Sequence, residues 1–415
     1  MRGAEWELAA VLDVLRRRGS ATRPLIGQET GLSRAVVTQR LADLHATGVV
    51  VAAGSEASTG GRPPRQVRFN ARLGHLLVAD LGATSLDVAL ADLLGRVLLH
   101  RSEPADVAAG PEPILERVEA LFAELLAEAG DVPGLLWGMG IGVPGPVEFS
   151  SGRPVAPPIM PGWDNYPVRE RLSARFGAPV WVDNDVNVMA LGERAEGTAR
   201  GYEDFVFIKV GSGIGAGIIS HGRLQRGAQG SAGDVGHIQV VSDTAVTCRC
   251  GKDGCLEAVA GGAAIGRAAE RTAHAGDSPM LADVLERCGA ISACDVANAA
   301  LLGDRASTQL LQQAGRHIGQ MLATVVNIVN PSLIVIGGGV AAAGDVFMAS
   351  IREVVYGRSL PLATRHLQIR QSDLGGRAGV VGLAAMVHDE LFAPERVAAW
   401  VASGLPAGRP ELAWY

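Results

Sequence analysis

The chain has 415 residues, with 37 basic and 43 acidic side chains and a formal net charge of -6. That length points to two or three domains with a sizeable core. A composition that is 48% hydrophobic and 19% charged excludes a largely disordered chain, and 4% aromatic residues disfavour a surface that stacks single-stranded bases.

The acidic balance of the whole argues against a nucleic-acid partner, but the charge is unevenly spread. Residues 1–72 carry 11 arginines against six acids, a net of +5, which leaves -11 for residues 73–415. In the basic segment Trp6, Leu8, Ala9, Val11, Leu12 and Leu15 recur at helical spacing up to Gly19. Arg23-Pro24-Leu25-Ile26 opens a short second helix that stops at Gly31. Ser33 caps a third, with Val36, Val37, Leu41 and Leu44 on its buried face and Gly48 closing it. Two helices joined by Thr30-Gly31-Leu32 predict a helix-turn-helix whose second helix enters the major groove. Ser33, Arg34, Thr38, Gln39 and Arg40 face away from the apolar stripe and are types that reach base edges or phosphates. Val49-Val50-Val51 and Gln66-Val67-Arg68-Phe69 read as a hairpin, a wing whose Arg62 and Arg65 suit phosphates or a narrow minor groove. The competing reading is a small helical cap with a solvated charged face. Turn spacing, arginine tip and local charge together favour DNA.

The acidic body repeats one plan. Val78-Ala79-Asp80-Leu81-Gly82-Ala83-Thr84-Ser85, and strands after it, read as strand, glycine turn, strand. Residues 205–219, around Gly211-Ser212-Gly213, repeat that plan and suggest a duplicated lobe with a cleft between the copies. Each turn alone is an ordinary tight turn; the pair, with Gly337-Gly338-Gly339 after a further strand, suits phosphate oxygens. Asn184-Asp185 follows the strand 180–182 at its C-terminal end, where ligands of open α/β sheets sit. The same pair also suits an Asx turn or helix N-cap. His237, Cys248, Cys250 and Cys255 offer one imidazole and three thiolates within nineteen residues, a set for tetrahedral, structural Zn2+. Cys288 and Cys294 stand outside the set as inert core residues. Residues 321–344 carry no charge, but Asn327, Asn330, Pro331 and three glycines preclude one spanning helix. They read as helix, turn, strand and glycine turn. An odd number of cysteines, three of them crowded together, and no signal-peptide pattern make the expected location the cytoplasm, with no membrane.

These ordered motifs carry a resemblance over about residues 1–390: residues 80–85, Gly142-Val143-Pro144-Gly145-Pro146, residues 182–187, residues 210–217, Gly233-Asp234-Val235-Gly236-His237 and residues 248–257. The chain resembles the ROK family of sugar kinases and sugar-responsive repressors, in particular regulators of the xylose-operon-repressor type. The resemblance implies an α/β chain with an N-terminal winged helix-turn-helix followed by a two-lobed actin-like (ribonuclease H-like) ATPase fold. The expected division is a DNA-binding domain at 1–72, a first lobe at 73–190 completed by 377–392, a second lobe at 191–376, and a tail at 393–415. Sugar contacts carry over at Asn184, Asp185, Asp234, His237 and Glu257. Asp185 matches the kinases' general base. Nucleotide phosphates, if nucleotide binding is retained, would face Asp80, Gly82, Thr84, Gly211, Ser212, Gly213, Gly337 and Gly338. If one nitrogen of His237 binds Zn2+, the other is free to reach a sugar hydroxyl.

Three departures separate this chain from the kinases. Asp234 stands for glutamate, residues 156–163 lack an asparagine before Pro161-Gly162-Trp163, and Ser85 stands where many kinases have lysine. The expected function is therefore a sugar-responsive repressor, a homodimer or homotetramer on an inverted-repeat operator of double-stranded DNA. The alternative is a sugar kinase using ATP and Mg2+ that carries a DNA-binding module. Removing residues 1–72 should abolish DNA binding and spare sugar binding.

Overall fold

The computed structural model describes residues 3–55, 65–130, 134–242 and 246–414. Helix α1 (Ala4–Arg18) places Glu5 and Glu7 in its first turn and Arg16, Arg17 and Arg18 in its last, which complements the helix dipole. After strand β1 (Ser20–Thr22) comes α2 (Arg23–Thr30), which ends on Gly31 in the left-handed conformation at φ 69°. Helix α3 (Arg34–Ala46) is capped by Ser33, whose Oγ accepts from Val36 N. Leu8, Val11, Leu12 and Leu15 of α1 join Ile26, Val37, Leu41 and Leu44 in one buried cluster. Strands β2 (Val50–Ser55) and β3 (Arg65–Phe69) form the hairpin, and β1 adds to β3 in the order β1-β3-β2. The hairpin tip, with Arg62, lies outside the described residues.

Strands β4 (Gly74–Leu81), β5 (Ser85–Asp92) and β6 (Val97–Pro104) make an antiparallel meander. Helix α4 (Pro111–Ala129) then returns the chain to β7 (Leu135–Val143), which lies parallel to β4. The short pair β8 (Val147–Glu148) and β9 (Arg153–Pro154) precedes α5 (Val168–Phe176), β10 (Val180–Asn184) and α6 (Asp185–Ala195). The sheet order is β10-β7-β4-β5-β6.

The second lobe repeats the plan. β11 (Phe205–Val210), β12 (Ile214–Ser220) and β13 (Arg223–Leu224) form its meander. Helices α7 (Leu256–Ala260), α8 (Gly262–His274), α9 (Pro279–Cys288), α10 (Ala293–Leu301) and α11 (Arg305–Val329) lead to β14 (Leu333–Gly337). Then α12 (Asp345–Arg358) and α13 (Pro361–Thr364) lead to β15 (Gln368–Gln371). The order β13-β12-β11-β14-β15 is the first sheet's order again, so the duplication read from two glycine turns extends to whole sheets. The uncharged segment resolves as the end of α11, a left-handed Asn330 at φ 53° and buried β14. Among the described residues no helix is long and apolar enough to cross a membrane.

The chain then returns to the first lobe as α14 (Ala378–Leu391) and ends in α15 (Pro394–Ser403). α14 lies against α6 through facing glycines. A Cβ on Gly382 would stand 1.6 Å from the Val188 carbonyl oxygen, and one on Gly192 would stand 2.1 Å from that of Ala378. Beyond α14, Phe392 meets Phe69 of β3, Trp137 of β7 and Trp400 of α15, and Arg16 of α1 lies 4.7 Å over its ring. The helix-turn-helix, the first sheet and the C-terminal tail therefore share one core. Removal of residues 1–72 would therefore bare Phe392, Trp137 and Trp400 to water. It also accounts for the tail, whose Trp400 is fully buried and donates to the Leu391 carbonyl at 3.0 Å.

Candidate functional site

A cleft of about 1250 Å³ runs between the lobes. The β4–β5 turn, Pro144 to Glu148 and the start of α6 line one wall, and the β11–β12 turn, Asp234, His237 and Glu257 line the other. Asn184 is the N-cap of α6 and also lines the cleft. Its Oδ1 accepts from Val186 N at 3.0 Å and Asn187 N at 3.3 Å, and its Nδ2 donates to the Gly145 carbonyl at 3.0 Å. The amide oxygen is thus committed to the helix, which leaves one N–H of Nδ2 for a ligand. Beneath it, buried Asp183 accepts from Asn187 Nδ2 at 2.9 Å and pairs with Arg226 at 2.8 Å; the Arg226 guanidinium stacks on Phe149.

Asp185 is buried, and one oxygen accepts from Val186 N at 2.8 Å. The other accepts from Lys209 Nζ at 2.5 Å, an ion pair across the cleft between α6 and β11. Lys209 is a site residue that the motif reading passed over. The available signal was a single charge in the apolar run Phe205-Val206-Phe207-Ile208-Lys209-Val210. Burial opposes its charge, but Asp185 first and then Asp80 hold its pKa above the ordinary lysine value. Burial pushes the Asp80 carboxyl up to about 7, against the pull of Lys209. Asp80 is wedged between backbones: a Cβ on Gly379 would meet its Oδ2 at 1.8 Å, and one on Gly142 would meet its Oδ1 at 2.6 Å.

His237, Cys248, Cys250 and Cys255 converge, with their ligand atoms all within 4.8 Å of one another. The His237 Nδ1 to Cys248 Sγ distance is 3.6 Å and the Cys250 to Cys255 sulfur distance is 3.8 Å. A tetrahedral ion with bonds of about 2.3 Å sets its thiolates about 3.8 Å apart, so the four residues fit a metal. The ring's other nitrogen, Nε2, faces Asp234 at 3.8 Å. Glu257, two residues after Cys255, accepts from Ile214 N at 3.1 Å and so ties the metal loop to the glycine turn. Cys288 and Cys294 are exposed, contrary to their expected place in the core.

Gly82, Thr84, Gly211, Ser212 and Gly213 line the cleft as expected, but Gly337, Gly338 and Asp80 do not. Gly337 makes room for the Phe207 ring, and Gly338, at φ 89°, passes over the Val210 backbone. The cleft is reached instead by Gly339 and Val340.

The ROK family model matches residues 77–390. The chain belongs to the ROK family. The xylose repressor of Caldicellulosiruptor bescii is 32% identical over 375 residues, spanning 90% of this chain and 93% of the repressor. The crystal structure of a ROK family transcriptional regulator, a homologue of the Escherichia coli Mlc protein, aligns with a TM-score of 0.83 at 29% identity, over 97% of this chain and 99% of that one. A ROK family glucokinase from Streptomyces griseus, in complex with glucose and AMPPNP, aligns with a TM-score of 0.66 at 30% identity, over all of its own chain but 76% of this one.

The helix-turn-helix lies ahead of residue 77, where the family model begins. At the N-cap and along α3, Ser33, Arg34, Thr38 and Gln39 are exposed, and Arg65 is exposed at the start of β3. Arg40 does not join them. Its guanidinium bridges Glu7 of α1 at 3.2 Å and Asp43 at 2.8 Å, so it braces α3 against α1. Its place on the helix put it beside the reading face, and one of the two acids that hold it, Glu7, comes from another helix. Gln39 also donates to Asp43, at 2.9 Å, and that bond must break or turn for Gln39 to reach a base.

Proposed function

We propose that the chain is a sugar-responsive transcriptional repressor. Sugar in the interlobe cleft would set the geometry of the winged helix-turn-helix on its operator. The observation that carries this is the shared core: α6 begins with Asn184 and Asp185 in the cleft, locks to α14 through Gly192 and Gly382, and α14 leads to Phe392 against Phe69 of the wing. A ligand pulling on the start of α6 thus acts on two packed helices, one of which, α14, leads to Phe392 beneath the DNA-binding module. Likeness over nine-tenths of the chain to a xylose repressor supports the reading.

Asn184, Asp185, Asp234, His237 and Glu257 offer donors and acceptors matched to neighbouring hydroxyls. His237, Cys248, Cys250 and Cys255 would hold Zn2+ with every position filled. That makes it structural, fixing the ring of His237 and the loop that carries Glu257. A homodimer would set its two α3 helices on half-sites about 34 Å or a multiple apart, hence an inverted repeat. Induction requires sugar to bind the two states unequally; a hundredfold change in operator affinity corresponds to about 3 kcal/mol of coupling. Titrating full-length protein and its own promoter DNA with a sugar panel tests the proposal.

The second reading, a sugar kinase, is favoured by Asp185 at the end of β10 and by the glucokinase likeness. Sugar-dependent ADP release abolished in Asp185→Asn would establish it.

A further inference from the structure

We propose that Lys209 is the residue that closes this cleft to a divalent cation and its nucleotide, so that the body binds sugar without transferring phosphate. The inference rests on the regulator reading and gives it a cause. Lys209 lies on β11 in register with Gly215 of β12 and Gly337 of β14, so neither strand neighbour has a side chain to crowd it. A Cβ on Gly215 would meet Val186 of α6 at 2.9 Å, which shows how closely this face of β11 and β12 approaches the start of α6. Across that gap the Lys209 ammonium stands 2.5 Å from Asp185 Oδ2.

Each Asp185 oxygen therefore already accepts one hydrogen bond, one from Val186 N and one from Lys209. Asp80 and Asp87 add their fields to that of Asp185 at Lys209. Mg2+ recruits carboxylates and phosphates through oxygen ligands at about 2.1 Å with near-octahedral geometry. Here Asp185, the carboxylate that lines the cleft beside Lys209, already faces a fixed cation, and burial pushes the Asp80 carboxyl up to about 7. The residues present do not fit Mg2+ with a nucleotide. An ammonium in that place still leaves the sugar wall at Asn184, His237 and Glu257 open.

The test compares full-length wild type, Lys209→Met, Lys209→Arg and Lys209→Met/Asp185→Asn. Mn2+ binding is followed by electron paramagnetic resonance and Mg2+–AMPPNP binding by calorimetry. Wild type and Lys209→Arg should bind Mn2+ only weakly, Lys209→Met at least tenfold tighter, and the double variant should lose the gain. Wild type binding Mn2+ or Mg2+–AMPPNP as tightly as Lys209→Met overturns the proposal. So does a Lys209→Met protein that melts cooperatively and gains nothing. If Lys209→Met does not fold, Lys209→Gln takes its place under the same criteria. Promoter binding by the same wild-type preparation keeps the two ideas apart: protein that ignores its DNA contradicts the regulator reading, whereas a cation-binding wild type that still answers to sugar on DNA contradicts only the role of Lys209.

Discussion

Phe69, the last residue of the wing strand β3, sets the edge of its ring against Phe392 at the end of α14, with centroids 5.5 Å apart and planes at 77°. The pair joins the basic module to the acidic body, and Trp137 and Trp400 close round it. Phe392→Ala should cost about 3–5 kcal/mol of stability, the range for removing a buried phenyl ring. Phe392→Leu, which keeps most of the volume, should stay folded and bind sugar but respond less to sugar on DNA. Thermal melts and operator titrations of the two variants check this; a Phe392→Leu protein with an unchanged DNA response would show that the coupling runs elsewhere.

Arg34 and Arg40 lie on the same helix and predict opposite phenotypes. Arg34 is exposed on the reading face, so Arg34→Ala should weaken operator binding by about 1–3 kcal/mol without changing the melt. Arg40 is paired to Glu7 and Asp43, so Arg40→Ala should lower stability by about 1 kcal/mol. Its first effect is on how α3 sits on α1, and only through that on DNA. Fluorescence anisotropy at two salt concentrations, beside thermal melts, separates the two.

Asp80 gives the fold a pH dependence of defined sign. Its folded pKa is pushed up to about 7 by burial, whereas in the unfolded chain it titrates near about 3.9. The stability it contributes is fully present below about pH 4 and is lost as pH rises to about 7, because the unfolded chain releases that proton first. Asp80→Asn, neutral at every pH, should flatten the fall in melting temperature between pH 5 and pH 8. Parallel wild-type and variant profiles would contradict it.

Metal removal should act on the sugar wall before it acts on DNA. Dialysis against a strong chelator is expected to release one Zn2+ per chain, lower the melting temperature and weaken sugar binding, with Cys250→Ser showing the same defects. The Glu257 bond to Ile214 N is the link that transmits the loss to the glycine turn. Elemental analysis together with sugar titration measures both; chelated protein with full sugar affinity would remove the loop from the sugar site.

Local chemistry made much of this legible in the sequence. Helix periodicity and the Ser33 cap give the helix-turn-helix, two glycine turns give the doubled lobe, and the spacing from His237 to Cys255 gives the metal loop, because each depends on residues close in the chain. The roles that were missed depend on partners far apart. Lys209 acquires its role from Asp185 on another lobe, Arg40 is captured by Glu7 on another helix, and Phe392 meets Phe69 from the opposite end of the chain. Gly337 and Gly338 read as a phosphate turn in sequence, whereas the room they give Phe207 and the Val210 backbone shows only in the packing.

The most direct test is anisotropy of the full-length protein on a labelled fragment of its own promoter, titrated with neutral sugars and their phosphates in the absence of nucleotide. The predicted result is salt-sensitive specific binding that at least one sugar changes tenfold or more, lost when Asp185 is replaced by Asn. No specific binding, or specific binding that every sugar leaves unchanged, would contradict the account.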